Sequence, residues 1–336
     1  MTEKQHSHPT TDIAIIGAGI SGAYCASLLS SAGMEVCLVE KSRGTGGRSS
    51  SKRVSNTESC DLGAPFFHIS HPSLQAVVQQ WVSDEIVAPW VDADTENATA
   101  YTGIPKMSAI TRHLIQNSTI INNCRVHYIE RSGSEWTLRD DSYNVILSCN
   151  TLIVTAPASQ TCPLLATPYI PNNLLLEVHK ASALSRPQWS MLLTTQVNET
   201  AKNFSQARSI MQPSNHSVVE RIIFDSRKPL RPDTSCNWII QARSEWSEHH
   251  IDANEEAVKS TLSQAFFDIT GLQGDPVLCH RWLLARHSPI NGMPSRWEPN
   301  YQIGLAADWL CKGDVEGALL SAQHLCNTIL SEYKSQ

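Results

Sequence analysis

No two of the ten cysteines in this 336-residue chain form a Cys-x-x-Cys pair. A metal site or a redox dithiol therefore has little support. Several cysteines lie inside apolar runs, where they read as small buried hydrophobes. Charged residues are sparse, at 17%, and the net charge is −6. That balance speaks against general nucleic-acid binding, which calls for a basic domain. No stretch approaches the roughly 18 uninterrupted apolar residues of a membrane span. The opening Met1–Thr11 is polar and has no apolar h-region, so a signal peptide is not expected and the cytoplasm is the expected compartment. Hydrolytic signatures are absent too: there is no Gly-x-Ser-x-Gly, His-Glu-x-x-His or P-loop lysine pattern. What remains is a chain long enough for two domains, with 41% hydrophobic residues to build their cores.

The most informative stretch is Asp12 to Arg53. The short β-branched run Ile13–Ile16 has the character of a strand buried on both faces. Gly17-Ala18-Gly19-Ile20-Ser21-Gly22 follows at the spacing G-x-G-x-x-G. In that pattern Gly17 makes the tight turn, Gly19 lets a pyrophosphate approach the backbone, and Gly22 lets the helix pack on the strand. Ser21 to Ala32 is rich in Ala, Ser and Leu and predicts a helix whose first amides face phosphate. A second apolar run, Val36–Val39, closes on Glu40, placed to accept hydrogen bonds from an adenosine ribose. The strand, glycines, helix, strand and acid together predict dinucleotide binding.

Beyond Glu40 comes Lys41-Ser42-Arg43-Gly44-Thr45-Gly46-Gly47-Arg48, a second glycine-rich turn with two arginines that a plain nicotinamide-binding domain does not need. Here the chain resembles the flavin amine oxidase superfamily, in which R-x-G-G-R-type segments wrap FAD. Ser49-Ser50-Ser51-Lys52-Arg53 and Cys60-Asp61-Leu62-Gly63-Ala64 resemble the renalase-type branch more specifically. The resemblance implies cofactor contacts at Lys41, Arg43, Gly46, Gly47, Arg48 and Ala64. It also implies substrate contacts near Pro65 and Phe66, although that branch usually carries Gln and Tyr there. A simple core role for Phe66 and Phe67 stands beside that reading.

The middle of the chain reads as mixed structure. A helix is expected from Pro72 through Val82, a loop over 92–99 and a helix ending near Ile115. Ile120–Ile121, Arg125–Ile129, Glu135–Leu138 and Asn144–Leu147 suggest an antiparallel meander, with Leu152–Pro157 a separate buried strand. In the superfamily the backbone near Val126 contacts adenine; an ordinary strand valine is the plainer reading. Further on, strands are expected at Met191–Thr195, Val218–Phe224 and Trp238–Ala242. A helix that Asp252 or Asn254 can cap follows and ends at Gly271. Between Glu199 and Arg243 there are seven Lys/Arg against four acids, a surplus that suits either an anionic substrate or an ordinary solvated face.

The C-terminal run Tyr301–Trp309 predicts a strand ending on Asp308, and a final helix begins after Gly313-Asp314. This ending resembles the C-terminal FAD motif of the superfamily, with Asp308 on cofactor hydroxyls or phosphate and Val315, Glu316 and Ala318 at the flavin edge. His280, Arg281 and Trp282 are candidate substrate contacts.

The resemblance implies an α/β fold: a Rossmann-like FAD-binding domain of the glutathione-reductase and amine-oxidase type, with a smaller mixed α+β substrate domain. The expected division is 1–66, 105–160 and 285–336 for FAD, and 67–104 and 161–284 for substrate. The implied activity is an FAD-dependent oxidase with noncovalent FAD, in which hydride passes from a small molecule to flavin N5 and O2 reoxidises the flavin to give H2O2. The renalase-like substrate would be a dihydropyridine isomer of NAD(P)H, so a nicotinamide nucleotide. A general amine oxidase or desaturase, and a non-catalytic FAD-binding protein, are the alternatives. No metal, nucleic acid or membrane partner is expected, and the catalytic residues are not specified.

Overall fold

The computed structural model describes residues 8–55, 58–197, 209–231, 235–290 and 292–334. The chain divides into two compact units of nearly equal length: residues 1–47, 111–184 and 288–336, and residues 48–110 and 185–287. Among the described residues no helix is long and apolar enough to cross a membrane.

Unit 1 is built on a sheet with strands in the order Ser295–Glu298, Ile303–Ala306, Val145–Val154, Thr10–Ile16, Val36–Val39, Thr119–Ile121. Ile303–Ala306, Val145–Val154, Thr10–Ile16, Val36–Val39 and Thr119–Ile121 run parallel, as short β-branched runs buried on both faces should. Ile13, Ile15, Leu38, Leu152 and Ile153 have no measurable exposure, so the centre of this sheet is dry. The helix Ile20–Ser31 follows the first strand, and the helix Val315–Tyr333 follows Ile303–Ala306. This is the expected parallel α/β arrangement.

The meander differs from expectation. Thr119–Ile121 pairs parallel with Val36–Val39 and takes no part in it. The strand expected from Arg125 begins at Tyr128, and Val126 is a buried core side chain ahead of it. The two runs expected at 144–147 and 152–157 form one ten-residue strand, Val145–Val154. Its first half pairs antiparallel with Glu135–Arg139, and its second half runs parallel to Thr10–Ile16. Exposed Asn150 interrupts the apolar pattern without breaking the strand, because Cys149 and Thr151 on either side of it both pair with Thr10–Ile16.

Residues 161–184, assigned by the sequence to the substrate domain, here contain most of the helix Ala158–Leu165 and the whole helix Asn172–Ser182. They bury Leu164, Leu165, Leu174 and Val178 in the same apolar cluster as Val154 and Trp309, and so belong to unit 1. Conversely, 48–66, 105–110 and 285–287 fall in unit 2.

Unit 2 contains an antiparallel sheet in the order Ile210–Met211, Val219–Phe224, Cys236–Ala242, Ser185–Thr195, Gly274–His287. Alternation sends Met191, Ile222, Ile240 and Cys279 to one face, where the helix Glu255–Thr270 covers them with Val258, Leu262 and Phe266. Asn254 caps that helix by accepting from the Glu256 amide at 2.8 Å, and left-handed Gly271 ends it. On the other face Leu192, Ile223 and Ile239 pack against Cys60, Leu62 and Trp90. A three-stranded sheet, Phe67–Ile69, Thr99–Gly103, Val87–Pro89, and the helix Pro72–Ser83 complete the unit. Of the basic residues noted in the sequence, Lys202 and Arg208 lie outside the described residues.

Candidate functional site

The two glycine-rich turns of unit 1 lie against each other. Gly17 adopts φ +103°, a left-handed conformation that a residue with Cβ resists, and its amide donates to Val39 O at 2.9 Å. At Gly22 a Cβ would stand 2.0 Å from Gly17 O, so helix and turn touch backbone to backbone. Thr155 braces the same turn, its hydroxyl 3.0 Å from both Ile16 O and Gly17 O. Sequence reasoning missed that role; the only signal is a Thr placed where an apolar strand ends beside the motif. In the second turn the Gly46 amide donates to Ala18 O at 2.8 Å, and a Cβ on Gly47 would lie 3.6 Å from Gly19 Cα.

Around this junction the chain keeps the features of a phosphate and ribose cradle. Gly19 precedes Ile20–Ser31 with no side chain capping the helix, and a Cβ there would meet nothing within 4 Å. The first-turn amides of Ile20, Ser21 and Gly22 thus begin at open space on the positive end of the helix dipole. Glu40 is buried at the end of the second strand, accepting from the Ala18 amide and the Ser42 amide, each at 2.8 Å. Each carboxylate oxygen retains a second lone pair for a ribose hydroxyl. The donors and spaces present therefore fit a dinucleotide.

The flanking basic residues are arranged differently from one another. Lys41 reaches Gln160 at 2.9 Å, and burial and nearby Arg125 lower its ammonium pKa. Arg43 is exposed, whereas Arg48 is half-buried in unit 2 with its carbonyl accepting from the Ala64 amide at 2.9 Å. The expected contacts Arg48 and Ala64 are therefore joined to each other within unit 2, and Gly46 and Gly47 to the first turn in unit 1.

At the other end of unit 1, Asp308 is buried and opens the short turn Asp308–Leu310. Trp309 ties that turn to the sheet by donating to Ala156 O at 3.1 Å. Asp314 caps the last helix, its carboxylate accepting from the Gly317 amide at 2.7 Å. Burial raises the Asp314 pKa even against that bond and the nearby Lys312. Glu316 is buried and paired with Lys312. Ala318 is spoken for internally: its amide donates to Asp314 O at 2.9 Å, and its carbonyl accepts from Ser21 Oγ at 3.1 Å. The Ser21–Ala318 bond joins the first turns of two helices that are 297 residues apart in sequence.

In unit 2, Pro65 is buried and its carbonyl accepts from Thr102 at 3.3 Å. Phe66 meets Trp90 edge-on at 5.4 Å, and the Arg221 guanidinium lies over its ring at 5.3 Å. His280 stands edge-on to Trp282 at 4.4 Å, and burial, then Lys52, lowers its pKa. Arg281 is separated from these two. Strand alternation turns it to the opposite face, where it stacks over Trp189 at 5.7 Å and bonds Ile251 O.

Residues 15–81 match the family of NAD(P)-binding Rossmann-like domains. Among solved structures, an A394C mutant of putrescine oxidase has a TM-score of 0.65 at 12% identity, covering 97% of this chain and all of that one. Putrescine oxidase bound to putrescine gives 0.62 at 11% identity with the same coverage. A proposed protoporphyrinogen oxidase from Exiguobacterium sp. 255-15 gives 0.65 at 12%, again with the same coverage. The chain shares the fold of these structures. At this identity the likeness establishes architecture, and the chemistry rests on the residues above.

Proposed function

We propose that this protein is an FAD-dependent oxidase of small molecules, renalase-like in oxidising dihydropyridine isomers of NAD(P)H, with FAD held noncovalently. The supporting observation is the Ser21–Ala318 hydrogen bond, 3.1 Å long, which brings the starts of two helices together in unit 1. The uncapped N-terminus beside Gly19 suits a pyrophosphate, and the second, capped by Asp314, would lie along the same molecule. Gly17, Ala18, Gly19, Ile20, Ser21, Gly22 and Glu40 would hold the adenosine and pyrophosphate. Asp308, Val315 and Glu316 would face the opposite end. When bound, the flavin supplies hydride acceptance at N5 and reoxidation by O2 to H2O2.

The chain's own part is to bind, orient and exclude water. Phe66 and Trp282, both half-buried, present apolar ring surface in unit 2, suited to a flat heteroaromatic. The lowered pKa of His280 keeps its imidazole neutral near pH 7, so it adds no fixed charge beside that surface. Burial also raises the Cys311 thiol pKa, which disfavours the thiolate needed for a covalent link. A general amine oxidase is the second reading, favoured by the same aromatic surface. The Arg221 cation over Phe66 counts against a cationic amine there.

Purified protein should be yellow, and acid precipitation should leave the colour in the supernatant. Anaerobic mixing with dihydropyridine isomers of NADH should bleach it rapidly. Bleaching by amines but not by these isomers would transfer the assignment to the amine oxidase reading. A yellow protein reduced by neither would be a flavin-binding protein without this chemistry.

A further inference from the structure

Arg221, Gln241 and Ser190 are direct cross-strand partners in the sheet of unit 2, Arg221 opposite Gln241 and Gln241 opposite Ser190. Directly paired residues share a face about 5 Å apart, so the three side chains form one row. Trp282 lies on that face as well, paired with Gln188 two residues before Ser190. One step along the strands the same face is apolar, with Ile223, Ile239 and Leu192 packed against Cys60 and Leu62.

Each member of the row, and Trp282 beside it, holds a buried polar atom with no hydrogen-bond partner among the described residues: Arg221 Nε, Gln241 Oε1, Ser190 Oγ and Trp282 Nε1. Gln241 and Ser190 are 1% and 0% exposed, so bulk water does not explain them. Gln241 is fixed in its orientation, because its Nε2 donates to Gly63 O at 2.7 Å, leaving Oε1 as a pure acceptor. The nearest acid, Glu220, is already engaged by Gln188 and by Arg286, each at 2.9 Å.

Arg221 is the exception among its basic neighbours. Lys228 and Arg231 pair with Asp61, Arg227 with Asp92, and Arg243 bonds the carbonyls of Pro213, Ser214 and His216. Among the described residues Arg221 has no acid within ion-pair distance, only the Phe66 ring. Burial, and then Arg286, lower its pKa, as expected of a cation short of compensation. A half-buried guanidinium whose Nε is buried without a partner is costly, and a ligand oxyanion would relieve that cost.

We propose that the Arg221–Gln241–Ser190 row of unit 2 binds an oxyanion of a small molecule that carries a hydrogen-bond donor beside it. The oxyanion, a carboxylate or a phosphate, accepts from Arg221, Ser190 and Trp282. The donor goes to Gln241 Oε1. That this ligand is the molecule oxidised rests on the flavin reading; the binding itself does not.

The test is calorimetric titration of the full chain as purified, with benzoate and inorganic phosphate as oxyanion probes and benzamide as the neutral isostere. Saturable binding of either oxyanion is expected, weakened about 10-fold or more in Arg221→Met, since charge-assisted bonds of this kind are worth that factor. Benzoate alone would mark a carboxylate ligand, phosphate alone a phosphorylated one. Arg221→Met should also melt at a higher temperature than the natural protein, the signature of a charge retained for binding and not for folding. If Arg221→Met fails to fold, Ser190→Ala is titrated in its place, with a several-fold loss expected. No oxyanion binding by the natural protein, or unchanged affinity in the variant, overturns the proposal. Colourless protein that still binds an oxyanion would defeat the flavin reading alone. Yellow protein that is reduced by donors but binds neither probe would defeat only this site.

Discussion

Gly19 and Gly22 stand three residues apart, yet a methyl group added to each meets different surroundings. At Gly22 it would meet Gly17 O at 2.0 Å and Thr155 Oγ1 at 2.7 Å, and at least the first of these is backbone that has nowhere to go. Gly22→Ala should therefore cost about 3 kcal/mol or more of stability, read as a lowered melting temperature. At Gly19 nothing lies within 4 Å. Gly19→Ala should keep its melting temperature in the apoprotein and lose flavin affinity, because the methyl occupies cradle space. A second residue-scale case is Asp61, buried with Lys228 at 2.9 Å and beside Arg231, with its other oxygen taking the Met107 amide at 3.2 Å. Burial alone would raise its pKa, but Lys228, Arg231 and the Ser51 hydroxyl outweigh it and hold the carboxyl below its usual range. A folded-state pKa below the unfolded value means the stabilisation is present above about pH 4 and is lost as pH falls through the folded value. Asp61→Asn should lower stability at neutral pH by about 3 kcal/mol, and its urea midpoint should fall less steeply with acid than that of the natural protein.

At the scale of elements, the readings that held were those with local causes. The helix Glu255–Thr270 carries its own start and stop, Asn254 accepting from the Glu256 amide and Gly271 at φ +69°. Asn254→Ala should cost about 1 kcal/mol in denaturant melts. Pro72 likewise marks the first position of its helix, and Asp314 caps the last. One element was misread and another was not read at all. Val145–Val154 changes partner and direction partway along, and nothing in a strand's own residues states who its neighbour will be. Asn172–Ser182 has an apolar stripe of Leu174, Val178 and Ala181, but the surface that receives it comes from distant segments.

For the whole molecule, the governing fact is discontinuity. Each unit draws on separated stretches of chain, with the boundaries after 47, 110, 184 and 287. In unit 1 the strand Val145–Val154 takes its outer neighbour from Ile303–Ala306, and the first helix bonds the last through Ser21 and Ala318. A fragment ending at residue 184 would expose the edge of Val145–Val154 and the buried side of Ile20–Ser31. It should show no cooperative thermal transition by circular dichroism, while the full chain melts sharply.

The sequence by itself determined the first glycine-rich turn and its acid, because G-x-G-x-x-G, the helix after it and Glu40 act within one short stretch whose backbone needs are local. It also made the C-terminal strand, turn and capped helix legible for the same reason. Tertiary structure decided which candidate residues share a surface. Arg281 was expected beside His280 and Trp282, and strand alternation turned it to the other face. Arg221 looked like one basic residue among seven until its neighbours found acids or carbonyls and it did not. Whether a charge is paired depends on contacts between strands far apart in sequence, and only the folded chain makes them.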